Sequence, residues 1–407
     1  MAPDVAYEPV SVKDVLSEMK DTAELLIDLS YSAVLSGSDE VAEEVLALEE
    51  RMDVLQLQAR MSLLMAARSP EDAEQLAPVL GVVGAAEKIA DAAGDIAKVV
   101  LEEIGLPDAM RAAIPEATEA LVRATVAADA DYVGQTLGEI NMETERGVRV
   151  IAIHRASETG KRAWITNPDK ETAIRAGDGL LLRGLDEGLA AVYETVTGDP
   201  YRLPAVTEPS VADLERAVDS IVTMKDMSEL AVDLAYGSVL FDSEAVAEEV
   251  AELEAEVDAL KSRLEAWTLQ AAGRVDDPVE LRGLVHLAAA AETISDAALE
   301  ISEGVLRGLG AHPVVAAAVE ESDEVIVRLT VAAAADLADR TLGDLELATE
   351  TGMRVIAVRR PGEAQSWVVS PDAATRLTAG DVLVAKGTRA GAERLSALAG
   401  DRREFDA

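Results

Sequence analysis

The chain has 407 residues, enough for two to four domains, and its 49 % hydrophobic and 28 % charged residues build cores rather than disorder. Its 77 acidic against 36 basic residues leave a formal charge of −41, which repels phosphate backbones and anionic lipid headgroups and argues against a nucleic-acid or bare-membrane role. No cysteine is present, which removes disulfides, thiolate metal sites and thiol redox chemistry.

Only nine of the basic residues are lysines. Acid-rich, lysine-poor surfaces suit a cytoplasm loaded with potassium salt, where a Debye length of roughly 3 Å in molar salt screens the self-repulsion; a halophilic source is expected. Met1 to Pro9 lack the basic and apolar regions of a secretory signal, and the longest uncharged stretch, 75–86, falls far short of the roughly 20 residues a membrane span needs. The expected location is cytoplasmic.

In chain order, Val12, Val15, Leu16, Met19, Ala23, Leu26 and Ala33 fall at helical spacing and predict an amphipathic helix over 11–35. A second helix starts at Ser38, a fitting N-cap, and a third at Ser69-Pro70, where proline suits the first turn. An alanine-rich fourth helix is expected over 107–132. The pattern then changes: 147–153 alternates and is β-branched, and shorter strands follow at 163–166 and 179–182, before a closing helix over 186–196. Pro200, Pro204 and Pro209 mark a linker over 198–209.

Beyond the linker the order repeats. Met19-Lys-Asp-x-x-Glu-Leu-x-x-Asp-Leu29 returns as Met224-Lys-Asp-x-x-Glu-Leu-x-x-Asp-Leu234, an offset of 205, which also carries Val41-Ala-Glu-Glu-Val45 onto 246–250 and Glu87-x-Ile-x-Asp91 onto Glu292-x-Ile-x-Asp296. After a two-residue gap near Arg360 the offset becomes 203 and carries Trp164 onto Trp367 and Gly177-Asp178 onto Gly380-Asp381. The chain is an internal duplication, with its domains expected at 1–106, 107–197, 210–311 and 312–407.

The pattern Leu137-Gly-Glu … Arg146-Gly-Val-x-Val-Ile-Ala-Ile153 … Asn167-Pro-Asp … Ala176-Gly-Asp-x-Leu-Leu-Leu182 resembles the TrkA-C (RCK C-terminal) domain of potassium channel and transporter regulators, and its second copy matches equally well. Glu87-Lys-Ile-Ala-Asp-Ala-Ala-Gly-Asp-Ile96 resembles the motif of PhoU-like regulators. The implied fold is α+β: two three-helix PhoU-like bundles, each followed by a small TrkA-C α/β sandwich domain. The Gly-x-Gly-x-x-Gly turn of a Rossmann domain is missing, so no NAD site of that kind is expected; Gly81-Val-Val-Gly84 reads as helix packing.

Two groups of residues are candidate sites. Glu24 with Asp28, Glu87 with Asp91, Glu229 with Asp233 and Glu292 with Asp296 are carboxylate pairs at i, i+4 spacing; PhoU-like proteins bind metals through such motifs, and the helical wheel turns these pairs outward, where a solvated surface is the alternative. The TrkA-C resemblance implies a regulatory ligand such as cyclic di-AMP between paired domains, where Arg149 and its equivalent Arg354 suit phosphate. Arg146, Thr351 at the matching position and Asn167 complete that set. Trp164 and Trp367 read as packing. His154, His286 and His312 are unmatched between the copies and read as incidental.

These features imply a cytoplasmic regulatory subunit, peripheral to a membrane cation channel or transporter, with potassium favoured. The alternative is a metal-responsive PhoU-like adaptor. No nucleophile with a matched base and no phosphate loop is found, so an enzyme is not expected. The TrkA-C copies are expected to pair within one chain or across a homodimer.

Overall fold

The computed structural model describes residues 11–106, 120–142, 146–156, 162–166, 168, 170–184, 186–201, 212–275, 277–307, 313–321, 325–345, 347, 351–361, 367–369, 371, 373–387 and 389–400. Three helices open the chain: α1 (Val12–Ser36), α2 (Asp39–Ala66) and α3 (Pro70–Leu101). Ser11 caps α1 by accepting from the Asp14 amide, and Gly37 ends it at φ 61°, a left-handed conformation that glycine adopts without strain. Ser38 caps α2 in the same way through the Val41 amide. The apolar stripe of α1, with Met19, Ala23 and Leu26, is buried against Leu48, Met52 and Leu55 of α2 and Ile89 and Ile96 of α3.

A four-stranded antiparallel sheet follows, built from β1 (Ala120–Thr125), β2 (Val148–Ala156), β3 (Arg162–Thr166) and β4 (Gly179–Gly184) in the order β1-β4-β2-β3. The short helix α4 (Leu137–Ile140) carries a capping box from Thr136 and Glu139, and α5 (Asp186–Thr197) covers the sheet. Val148, Val150 and Ile153 of β2, Leu180 and Leu182 of β4 and Leu189 and Val192 of α5 form a core of their own. The buried Asp178, in the Ala176-Gly-Asp turn, accepts from Arg155 at 2.6 and 2.9 Å and from the Arg175 amide, which pins the turn that leads into β4.

The second half repeats the plan with α6 (Ala212–Leu240), α7 (Glu244–Ala272) and α8 (Arg282–Leu306), then α9 (Pro313–Glu321), β5 (Val325–Thr330), α10 (Leu342–Leu345), β6 (Met353–Arg359), β7 (Trp367–Val369), β8 (Val382–Gly387) and α11 (Arg389–Ala399). Its sheet has the matching order β5-β8-β6-β7, and both sheets carry a register irregularity at equivalent places, Val150/Ala152 and Val355/Ala357. The α+β class and the duplication are as the sequence implies.

One expectation fails. The fourth helix foreseen over 107–132 is absent from its described part: 120–125 form β1, paired residue for residue with β4, and 126–132 are loop and turn. In the second half α9 ends at Glu321 and β5 takes the matching place. Val325-Ile-Val-Arg-Leu-Thr330 is rich in β-branched residues, and the edge of β8 gives it backbone partners that outweigh the helical preference of the alanines before it.

The halves meet through α3 against α8, running antiparallel, and through α1 against α9. Small residues let α3 and α8 approach closely: Ala85, Ala86, Ala92 and Ala93 lie buried on one, Ala290, Ala291, Ala297 and Ala298 on the other. Both bundles thereby share one apolar core. The first sheet rests on α1 and α2 through β1, the second on α6 through β5 and β7.

Candidate functional site

The repeated motif Met-Lys-Asp-x-x-Glu-Leu-x-x-Asp-Leu places two matching charge clusters where the halves meet. Lys20 lies 2.7 Å from Glu24 and Lys225 lies 2.6 Å from Glu229, the same i, i+4 pair in each copy. Lys20 stands over the ring of Tyr236, 5.6 Å from its centroid, and Lys225 over Tyr31 at 5.8 Å, so each half supplies the ring for the other half's lysine. Each sheet adds a cation. Arg183 of β4 pairs with Asp28 at 2.9 Å, and Lys386, its equivalent on β8, reaches Glu24 of the first bundle and Asp233 of the second, both at 3.0 Å.

The helical wheel turns Glu24, Asp28, Glu229 and Asp233 outward, toward a metal or toward solvent. They face inward instead, into this junction, where ammonium and guanidinium groups already neutralise them. The wheel identified the side away from each bundle's own core but could not show the second bundle and the sheets packing there. Burial sets their protonation. It pushes Asp233 up to about 6, with Lys386 pulling down and Glu24 pushing up. It raises Asp28 against the pull of Arg183. For Glu229, burial is outweighed by Lys225, and the carboxyl is held below its usual range.

Arg149 and Arg354, read as ligand-binding, are cross-strand neighbours of Arg183 and Lys386. Directly opposed residues on antiparallel strands share a face. Arg354 acts on Asp226 and Glu229. Thr351 is 1 % exposed and donates to the Leu347 carbonyl, so burial removes it from the ligand set. Asn167 lies outside the described residues. Arg146 lines a cleft of about 550 Å³ with Tyr132, Glu139 and Asn141. Among the four that are described, Arg146 lines this cleft, Thr351 is buried, and Arg149 and Arg354 lie on the strands beside Arg183 and Lys386.

Glu87 and Asp91 converge not with Glu24 and Asp28 but with Asp53 of α2: the three carboxylates bring oxygens within 4.8 Å of one another, a grouping able to hold a hard divalent cation. Burial and mutual repulsion raise Glu87 and Asp91 above the usual carboxylate range. In the second bundle the same place contains Lys261, 2.8 Å from Glu292; burial and Glu292 still raise Asp296 above its usual range, against the pull of Lys261. Gly81 and Gly84, read as packing, have open space where a side chain would be: a Cβ at either meets nothing within 4 Å.

His154, read as incidental, is a docking residue. Its ring stacks on Trp164, centroids 4.5 Å apart and 5° from parallel, and its Nδ1 lies 2.7 Å from Glu44 of α2. Arg123 of β1 holds the same carboxylate at 3.0 Å. Burial pushes Glu44 up, but His154 and Arg123 together hold it below its usual range. In the second half Arg359 replaces His154 and lies 3.7 Å from Glu249. The signal was available in the repeats: a nitrogen-bearing side chain, His154 or Arg359, at the same position of both, opposite the repeated Val-Ala-Glu-Glu-Val segment.

Among the described residues no helix is long and apolar enough to cross a membrane. None of the curated proteins matches the chain. Among solved structures, PhoU from Pseudomonas aeruginosa is 12 % identical, with a TM-score of 0.43 over 73 % of this chain and 96 % of that one. The GsuK RCK domain is 16 % identical, with a TM-score of 0.19 over 70 % of this chain and 64 % of that one, and the GsuK channel bound to NAD, also 16 % identical, gives 0.18 over 70 % and 53 %. Superpositions this loose add nothing to the assignment, which rests on family matches in sequence. The PhoU domain matches residues 16–100 and 221–305, and the TrkA-C domain matches 121–197 and 326–400. Both are regulatory rather than catalytic domains. The chain thus belongs to the proteins that join PhoU and TrkA-C domains, here as two alternating pairs.

Proposed function

We propose that this protein is the cytosolic regulatory subunit of a membrane cation channel or transporter, with potassium as the ion, and that its TrkA-C part senses a small ligand such as cyclic di-AMP. The observation that carries the reading is Lys386. One side chain of the second TrkA-C domain bridges Glu24 of the first PhoU domain and Asp233 of the second. The first TrkA-C domain makes the matching contact through Arg183 and Asp28, so a ligand that shifts either small domain disturbs a part-buried ion pair where the bundles meet, and coupling of about 1 to 3 kcal/mol is all that regulation requires.

The cleft beside Arg146 is the place we assign to the ligand. Tyr132 offers a ring and Arg146 a guanidinium, which suits a nucleotide base and its phosphate. The second copy has Leu337 and Thr351 at these positions, so one ligand per chain is expected.

Calorimetric titration of the full chain in molar KCl tests this with cyclic di-AMP, ATP, NADH and manganese in turn. Cyclic di-AMP binding, lost in Arg146→Ala, supports the reading. Silence toward every nucleotide, with manganese binding lost in Glu87→Gln and Asp91→Asn, replaces it with the metal-responsive adaptor.

A further inference from the structure

Cations from both TrkA-C domains end on one turn of one helix. Arg183 of the first domain holds Asp28 at 2.9 Å, and Lys386 of the second holds Glu24 at 3.0 Å. Glu24 and Asp28 are i, i+4 neighbours on α1, about 5 to 6 Å apart at their Cβ atoms. Lys386 also reaches Asp233 of α6 at 3.0 Å. The sharing runs both ways: Asp28 is acted on by Arg183 and by Lys386, and Glu229 of α6 by Arg354 and by Arg183. Beside these charges the inner faces of both sheets rest on one apolar core, through Ile151, Ala152 and Leu181 of the first and Ile356, Ala357 and Val384 of the second.

The helices bring more acid than base to this junction. Lys20 comes with Asp21, Glu24 and Asp28 on α1, and the same four residue types return on α6 at an offset of 205, so six carboxylates meet two ammonium groups. The sheets supply the balance. Arg183 and its cross-strand neighbour Arg149 come from the first domain, Lys386 and its neighbour Arg354 from the second, and each pair offsets half of the negative excess. A domain that docks alone meets the whole excess; one that docks beside its twin meets half, together with the repulsion of the cations already seated. Arg183 is only 20 % and Lys386 12 % exposed, so salt screens this repulsion little. Domains that merely propped up the shared core would couple in the opposite sense, since loosening one face of a core loosens the other.

We propose that the two TrkA-C domains are antagonists on this junction: when one lifts from the bundles, the carboxylates it releases hold the cations of the other, and that domain seats more firmly. The pair then works as a seesaw rather than as two independent modules. A change received by one domain reaches the other with its sign reversed, and linkage makes the effect equal in both directions. The inference rests on the docked fold and on no ligand, so it stands apart from the function proposed above.

No cysteine is present in the chain, so a single introduced thiol reports one interface. Leu181→Cys reads the first domain and Val384→Cys the second, each from a position 1 % exposed. Labelling by a maleimide is followed on the full chain at pH 8, where Asp233, at about 6, is ionised; a label slower than reclosing tracks the open population. Lys386→Met removes the second domain's charge and keeps the length of the side chain. It is expected to speed labelling in the Val384→Cys chain and to slow it in the Leu181→Cys chain by at least about fivefold, the lower end of ordinary couplings between sites. Lys386→Arg, which keeps the charge, should leave the Leu181→Cys rate unchanged. Arg183→Met gives the mirror result in the Val384→Cys chain and carries the test if Lys386→Met does not fold. Faster or unchanged labelling of Leu181→Cys in the Lys386→Met chain overturns the proposal, and so does equal slowing by Lys386→Arg. The nucleotide titration reads the Arg146 cleft, so failure there leaves this result standing, and the reverse.

Discussion

The two halves of the molecule share three bundle helices, sheet order and even a strand irregularity among the described residues, yet they distribute their cations differently. Lys20 and Lys225, Glu24 and Glu229, Asp28 and Asp233, and Arg183 and Lys386 are matched, and all of them meet at the junction of the bundles. Gln56 against Lys261, His154 against Arg359, and Arg146 against Thr351 are mismatched, and they lie away from it. The matched charges answer one another across the duplication, so neither copy can change alone without stranding a buried group. The mismatched ones are free to diverge, and each divergence leaves the first copy with the more adaptable group: a neutral amide, an imidazole, an exposed guanidinium.

If the junction is the shared scaffold, breaking it carries the largest effect. Lys386→Ala strands Glu24 and Asp233 among buried neighbours and is expected to cost about 3 to 5 kcal/mol in chemical denaturation of the full chain. Arg183→Ala, whose partner Asp28 retains some contact with water, should cost about 2 kcal/mol. Equal losses would mean that the bridge by Lys386 is no stronger than a single pair.

The same junction gives a pH signature of defined sign. Asp233 titrates at about 6 in the folded chain against an ordinary 3.8. Between those values the folded protein holds a proton that the unfolded chain has lost, so this group makes stability fall as pH rises from about 4 to about 6. Urea midpoints measured across that window should lose this part of their slope in Asp233→Asn. An unchanged slope would remove Asp233 as its source.

The sequence disclosed the plan of the molecule better than its contacts. The α1 stripe, the Ser38 cap and the Pro70 start were readable because periodicity and caps are local properties. The first strand of each sheet was not, since 107–125 contains helix-favouring alanines and only the partner strand β4 decides for β1. The i, i+4 carboxylates were found, but their meaning depends on packing. Glu24 and Asp233 are both reached by Lys386, which is 362 residues from the first. Asp53, the third member of the cluster, returns as Asp258 at the same offset, but its place beside Glu87 and Asp91 was visible only once α2 lay against α3.

A smaller effect tests the interface between each TrkA-C domain and its bundle. His154→Ala removes the stack on Trp164 and one partner of Glu44 while Arg123 remains, so a loss of about 1 kcal/mol is expected. His154→Arg, which copies the second half, should restore most of it. If it restores nothing, the ring stack rather than the charge holds the domain.

The smallest effect bears on the most consequential contrast. Lys261 and Glu292 are each about a quarter exposed, so Lys261→Gln should cost only about 0.5 kcal/mol, and less in molar salt. A loss that small shows that the second bundle folds without its lysine, as the first does with Gln56, and that the cation there fills a charge deficit rather than pinning the helices. A loss above about 2 kcal/mol, well outside the range of such pairs, would make Lys261 a structural pin. The first bundle, with Gln56 at that position, would then have replaced that pin by other means, and Arg60, which acts on Glu87, is the cation at hand.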